Sequence, residues 1–325
     1  MTSTLASPLP TTTETRGPFR LAIGLLVVTA VTILWGAMTT STGSGLAYLD
    51  WPPSDGQLMP ESSYTSLPHF LEHFHRLFGA TAGLLSVWLV TWLVWGGVGN
   101  AAARRTAWFG LGLIITQGVI GGVGVLKGLP AVTSVTHGTL AQLTMATFAW
   151  LAYQLSPRYR DTRSLASSAA EPADGSVRVG AGRKLVLFAL VVLVTQTVVG
   201  AVARHTNSTH ALWTHVGNAF VVFVVGSIAT AFAVGKLSKA PGIPTLSRTI
   251  VSLLVLQIVL GFVALAIRNA AGKTPENIAN LGTALVISGH VLLGAFLTVL
   301  MATLAAHVFR ATRRPDGDRV QERLP

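Results

Sequence analysis

Four histidines, His75, His137, His215 and His290, each lie inside a long apolar stretch of the chain. Counted from the start of its stretch, His75 is about six residues in, His137 about six, His215 about five and His290 about nine. An imidazole in an apolar helix is costly unless it has a partner, so each is either hydrogen-bonded to a neighbouring helix or a ligand. Their similar depth, one in every second stretch, favours ligation. Two imidazoles opposed across a helix bundle make a six-coordinate site for heme iron, and an apolar slot between helices suits a porphyrin. Copper or zinc would need ligands gathered at one point, whereas these are spread over both halves of the chain.

The segment Glu72-His-Phe-His75-Arg76 adds a carboxylate. Glu72 and His75 are three apart and share a helix face, and Arg76, four from Glu72, is placed to pair with it. A carboxylate one turn into a membrane helix must be paired or used. Glu72 is therefore a candidate to take a proton, and equally a structural partner for Arg76. The same face continues through Gly79, Ala82, Gly83 and Ser86, a stripe of small residues that admits a flat ring or a closely packed helix. Arg204 and Arg268, at helix ends, are candidates to pair with heme propionates or to snorkel to lipid headgroups. His69, His73, His205 and His210 are second-rank ligand candidates expected near water, and His307 reads as structural.

Elements that position such residues follow from composition. Of 325 residues, 50% are hydrophobic and 11% charged, against roughly 25% charged in a soluble domain. Mean hydropathy is +0.58. These values exclude a soluble enzyme and a disordered chain. The absence of cysteine excludes disulfides, thiolate zinc sites, cysteine-bound clusters, covalently attached heme and a cysteine nucleophile. Eight stretches, 19–39, 70–96, 107–126, 132–154, 184–203, 211–235, 249–267 and 281–307, are each long enough to span a bilayer as a helix. They are continuous rather than alternating, which rules out barrel strands. No small-residue cleavage site follows the first stretch, so it is expected to be a span rather than a signal peptide. With the N-terminus inside, 18 of the 23 Lys and Arg fall on inner segments. Both termini are therefore expected in the cytoplasm and the four histidines in the outer half of the membrane. The net charge of +11 then reflects orientation and lipid headgroups, not nucleic acid.

The expected organisation is all-α and polytopic, with eight transmembrane helices in two pseudo-symmetric four-helix bundles. Residues 1–18 form a disordered tail, 19–154 an N-terminal bundle, 155–183 a cytoplasmic linker, 184–307 a C-terminal bundle and 308–325 a cytoplasmic tail. Weak internal repetition supports two halves: Gln117-x-x-x-Gly121, Gln196-x-x-x-Gly200 and Gln257-x-x-x-Gly261 recur in the third, fifth and seventh stretches. The longest outer loop, about residues 40–68, carries Thr42-Gly-Ser-Gly-Leu46 and Asp50-Trp-Pro-Pro53. That is turn chemistry suited to capping a site or docking a partner.

Together, Thr42-Gly-Ser-Gly-Leu46, Asp50-Trp51-Pro52, Glu72-x-x-His75-Arg76, the single histidines His137, His215 and His290 and the Gln-x-x-x-Gly patterns resemble the heme A synthase family of cytochrome oxidase assembly proteins. The resemblance covers most of residues 20–307. It implies a heme b held by His215 and His290 in the C-terminal bundle, and the substrate heme O facing His75 and His137 in the N-terminal one. Glu72 would act in the reaction, with Arg76 and Arg204 as contacts to the bound hemes. The implied reaction converts the C8 methyl of heme O to the formyl of heme A by successive hydroxylation, in the plasma membrane. The implied partners are a heme O synthase, oxidase assembly factors and further copies of the chain.

Two departures stand out. Many members carry a cysteine pair in outer loops, and this chain has none. Where the family often has Arg after the first helix, this sequence reads Met38-Thr-Thr-Ser-Thr42. The residues by themselves reach only a bis-histidine heme membrane protein with a carboxylate at one site. That leaves a non-catalytic diheme cytochrome or a heme carrier as alternatives.

Overall fold

The computed structural model describes residues 15–157, 159, 176–238, 240, 242–270 and 280–311. The expected N-terminal and C-terminal tails, and most of the 155–183 linker, lie outside these residues. Among the described residues there are eight long helices and one short one: α1 Arg16–Ser41, α2 Ser62–Thr65, α3 Leu67–Trp95, α4 Ala101–Leu126, α5 Ala131–Leu155, α6 Ser176–Thr206, α7 Thr209–Leu237, α8 Ile243–Ala270 and α9 Leu281–Ala311. Several outrun the apolar stretches: α4 begins at 101 rather than 107, and α6 at 176 rather than 184. The polar flanks continue the helix past the greasy part, and capping sets the ends. Asn100 accepts from the Ala103 N–H at 2.8 Å, and Ser208 from the Ala211 N–H at 3.2 Å. Pro68 opens α3, where a missing N–H costs nothing.

Seven of the helices (α1, α3, α4, α6, α7, α8 and α9) are long and apolar enough to cross a membrane, the pattern of a multi-pass membrane protein. The 25 residues of α5 are not among them. This helix carries Thr133, Ser134, Thr136, His137, Thr139, Gln142, Thr144 and Thr147. It packs against α1, α4, α6 and α9, so these polar side chains, apart from the exposed Thr136, are at least partly buried against protein.

Packing closes two circuits. α1 lies on α3, α3 on α4, α4 on α5, and α5 returns to α1. α6 lies on α7, α7 on α8, α8 on α9, and α9 returns to α6. Each circuit has a dense core toward the end where α1 begins. Leu25, Leu89, Leu93, Phe148 and Leu151 fill the first, and Ile250, Leu254, Leu297, Met301 and Leu304 the second. Ile33, Met145, Ala149, Ala295 and Val299 form the seam, where α1 and α5 meet α9. With the apolar cores at one end, the histidines sit between the helices toward the opposite end, where the 42–66 loop lies over the first circuit.

Candidate functional site

His75 on α3 and His137 on α5 face each other in the first circuit, with ring centroids 6.2 Å apart and planes at 81°. His215 on α7 and His290 on α9 repeat the arrangement in the second, at 6.2 Å and 84°. Each ring rests on the long helix preceding its own. Nδ1 of His75 lies 3.1 Å from the Thr32 main-chain oxygen, that of His137 3.2 Å from Gln117 and that of His215 3.2 Å from Gln196. His290 is directed at Gln257 in the same way, but its buried Nδ1 is outside hydrogen-bond geometry.

One turn beyond each of these carbonyls comes a glycine. A Cβ there would stand 2.5 Å from the His75 Cε1 at Gly36, 3.1 Å from His137 at Gly121, 2.7 Å from His215 at Gly200 and 3.1 Å from His290 at Gly261. The glycine gives the imidazole room, and the carbonyl one turn earlier aims it. The Gln-x-x-x-Gly repeat is thus the sequence trace of a histidine cradle. α1 supplies the fourth copy as Thr32-x-x-x-Gly36, which reading for glutamine misses. The acceptor is a main-chain oxygen, so any side chain serves.

These bonds decide the chemistry of the rings. A carbonyl can only accept, so in His75, His137 and His215 Nδ1 carries the proton and Nε2 presents a bare lone pair. Among the described contacts no Nε2 of the four has a hydrogen-bond partner. Nδ1–H donation to a carbonyl is the usual outer-shell support of a metal-bound histidine. With metal–imidazole bonds of about 2.0–2.1 Å, as for zinc, two rings sharing one metal have centroids about 6 Å apart. Both pairs fit a bis-imidazole iron.

The pairs differ in their bracing. In the second circuit the glutamine side chains reach back: Gln196 Nε2 donates to the His215 main-chain oxygen at 2.9 Å and Gln257 Nε2 to that of His290 at 3.0 Å. Gln196 Oε1 accepts in turn from Asn218 at 2.9 Å. In the first circuit the Thr32 hydroxyl donates within its own helix to Val28, and Gln117 Oε1 is buried without a partner.

The first circuit also has a cap. Glu72 is 3% exposed; its Oε1 pairs with Arg76 Nη2 at 2.5 Å and its Oε2 accepts the Tyr48 N–H at 3.0 Å. Arg76 Nη1 donates to the main-chain oxygens of Asp50 at 2.8 Å and Pro53 at 2.5 Å, and Nη2 to that of Tyr48 at 3.3 Å. The pair clamps the 48–54 loop onto α3. Breaking such a buried pair strands a charge, at about 3–5 kcal/mol. Trp51 lies against Gly122 on α4, so the loop bridges two helices of the circuit. Burial pushes the Tyr48 phenol up. The Gly56 N–H, and with it that of Asp55, holds the Asp50 carboxyl below its ordinary value. In the second circuit, Asn207 and Ser208 alone join the matching helices α6 and α7.

The remaining candidates separate. Arg204 crosses the seam: its Nη2 donates to the Ala37 oxygen and to Ser41 Oγ, both at 2.8 Å, and Ser41 Oγ lies 3.3 Å from Ser288 Oγ on α9. Among the described residues its Nε and Nη1 have no hydrogen-bond partner and no carboxylate pairs with it. Arg268 stays within the second circuit, reaching from α8 to the end of α6, on the Ala203 oxygen and Asn207 Oδ1, both at 3.1 Å. His205 lies beside Arg204, within electrostatic reach of His137, and His210 is exposed. His73, expected at the water interface, is 3% exposed under the loop, with Nδ1 at 3.0 Å from Ser54 Oγ and Nε2 at 3.3 Å from the Met59 sulfur. His69 meets Ser66 Oγ at 2.9 Å. His307 packs on Tyr153 at 4.7 Å between centroids.

A family model described as cytochrome oxidase assembly protein matches residues 19–223, which include His75, His137 and His215 and stop short of His290. A protein named heme A synthase from Bradyrhizobium sp. (strain ORS 278) is 29% identical over 185 residues, 46% of this chain and 51% of that protein. Another, from Symbiobacterium thermophilum, is 32% identical over 111 residues, 34% of this chain and 35% of that protein. A third, from Brucella anthropi, is 31% identical over 137 residues, 39% of this chain and 38% of that protein. The chain thus spans about half or less of the length of these curated relatives. With the family model matching well over half of it, the chain belongs to the cytochrome oxidase assembly protein family.

Proposed function

We propose that the chain is a heme A synthase, a membrane oxidoreductase that converts the C8 methyl of heme O to the formyl of heme A. In this reading residues 19–154 and 184–307 are two pseudo-symmetric four-helix bundles, each spanning the plasma membrane four times with both termini in the cytoplasm. His215 and His290 would hold a resident heme b, and His75 and His137 the substrate heme O. The observation that carries it is the unequal bracing of two matched histidine pairs. A pair held by two glutamine amides, with His215 tied twice, suits a permanent cofactor, and a pair without such amide bonds beneath a loop suits a ligand that arrives and leaves. A heme b at His215 and His290 would supply one-electron transfer.

The chain's own residues do the rest. Nδ1 donation to Thr32 and Gln117 keeps Nε2 of His75 and His137 open toward the substrate iron. The 42–66 loop, clamped through Arg76, keeps bulk water from the slot. Glu72 lies three residues from His75 and is the carboxylate placed to take a proton as the methyl is oxidised. The Nε and Nη1 of Arg204, a cation with no carboxylate partner among the described residues, suit a heme propionate at the seam. Arg76, committed to Glu72 and the loop carbonyls, would act on a propionate only by exchanging one of those bonds. A heme O synthase would deliver the substrate and oxidase assembly factors receive the product.

A second reading, a diheme cytochrome without catalysis, draws support from one observation: Glu72 is fully engaged by Arg76 and the Tyr48 N–H. Expression beside a heme O source, followed by heme extraction and chromatography, separates the two. Heme A formation that is lost on His75→Ala or His137→Ala supports the synthase. Heme O unchanged beside a normally loaded protein supports the cytochrome.

A further inference from the structure

We infer that Gln117 determines substrate specificity at the His75–His137 site by accepting a hydrogen bond from a hydroxyl on the edge of the bound porphyrin. The inference rests on the reading above and names a feature of the substrate that the site would recognise. Gln117 is 8% exposed, and its main-chain oxygen receives His137 Nδ1. Its side chain shares the helix face of Gly121, the seat of that ring. The matching Gln196 and Gln257 spend their amide nitrogens on the main-chain oxygens of His215 and His290. Gln117 makes no such bond, and its Oε1 is buried without a partner. Gln257 Oε1 is also unpartnered, but that amide is tied down through its nitrogen. The Gln117 amide is held at neither end and is free to turn to a ligand. A buried acceptor without a donor is costly, and a site with one discriminates for a ligand that brings the donor.

A hydroxyl is the donor a porphyrin edge can offer here. Heme O has one on its long isoprenoid side chain, and the alcohol formed at the oxidised methyl would be another. Heme B has neither. The test uses full-length protein already carrying one equivalent of heme b, titrated with a second equivalent of heme O, of heme B, or of the 8-hydroxymethyl derivative of heme O. Gln117→Met and Gln117→Leu remove the acceptor, and Gln117→Glu keeps an oxygen at the same reach. The expected result is about a tenfold rise in Kd for hydroxyl-bearing hemes in Met and Leu, little change for heme B, and wild-type preference in Glu. A larger loss for the 8-hydroxymethyl derivative than for heme O assigns the bond to the new alcohol; equal losses assign it to the isoprenoid hydroxyl. Equal shifts for heme O and heme B, or none, overturn the role of Gln117 and leave the site reading standing. A second equivalent that does not bind, or binds unaffected by His75→Ala and His137→Ala, overturns both. The low-spin signal of the first heme reports folding. If Met and Leu both lose it, the Glu variant decides: unaltered preference supports the bond, and lost preference overturns it.

Discussion

His215 and Gln196 hold each other twice. The imidazole Nδ1 donates to the Gln196 main-chain oxygen at 3.2 Å, and the Gln196 amide donates back to the His215 main-chain oxygen at 2.9 Å. One bond aims the ring and the other ties the backbone that carries it to α6, so both the ring and its helix are held in register. Gln196→Leu should leave the helices intact and loosen the heme. We expect heme b to be lost about tenfold faster to apomyoglobin, since a lone hydrogen bond contributes about 1 kcal/mol and Asn218 Nδ2 also loses its acceptor. An unchanged transfer rate would show that the brace does not hold the ligand.

The glycine seats make a sharper prediction. A methyl on Gly36 would meet the His75 ring at 2.5 Å, and one on Gly200 the His215 ring at 2.7 Å, while Gly24 faces open space on the same helix as Gly36. Gly36→Ala should abolish heme A formation while sparing the low-spin heme b spectrum. Gly200→Ala should damage that spectrum, and Gly24→Ala should do neither. Loss of heme b in Gly36→Ala with product formation intact would reverse the assignment of the two sites.

Glu72 can be separated into anchor and base. Glu72→Gln keeps the size and most of the hydrogen bonding but removes the charge. A catalytic carboxylate predicts at least a tenfold fall in heme A formed per bound heme b, with heme O or a hydroxylated intermediate accumulating. A pure anchor predicts a near-normal ratio and faster proteolysis within the 42–66 loop.

The loop should also respond to acid. The Asp50 carboxyl is held below its ordinary value, chiefly by the Gly56 N–H. A lowered folded value means that its contribution is complete above the unfolded value and disappears as the pH falls through the folded one. Loop cleavage by an acid-stable protease should therefore be flat above about pH 4 and rise below it. Asp50→Asn should be cleaved faster throughout, with the step at low pH removed.

Orientation is checked by reporter fusions. The charge bias predicts cytoplasmic signals after residues 160 and 310 and an external one near residue 55. A cytoplasmic signal at 55 would put the histidines on the other side of the membrane.

The sequence by itself determined the long helices, their apolar lengths and the depth of each histidine, because these depend on local composition and on rise per residue. It also displayed Gln-x-x-x-Gly three times, without a reason for it. Which helices pair was settled only in three dimensions, since apolar faces of similar length pack in many ways and only contact distinguishes them. The tertiary structure set His75 opposite His137 and His215 opposite His290. It turned each of these four glycines into a seat, and placed α5 among four other helices, where all its threonines but Thr136 are at least partly buried. It also set the surroundings of Glu72, whose neighbours in sequence allowed both a pair and a base. The folded loop brings the Tyr48 N–H and three main-chain oxygens, those of Tyr48, Asp50 and Pro53, to the Glu72–Arg76 pair. No local rule could supply that, because those groups lie more than twenty residues away along the chain and meet the pair only when the loop folds back over α3.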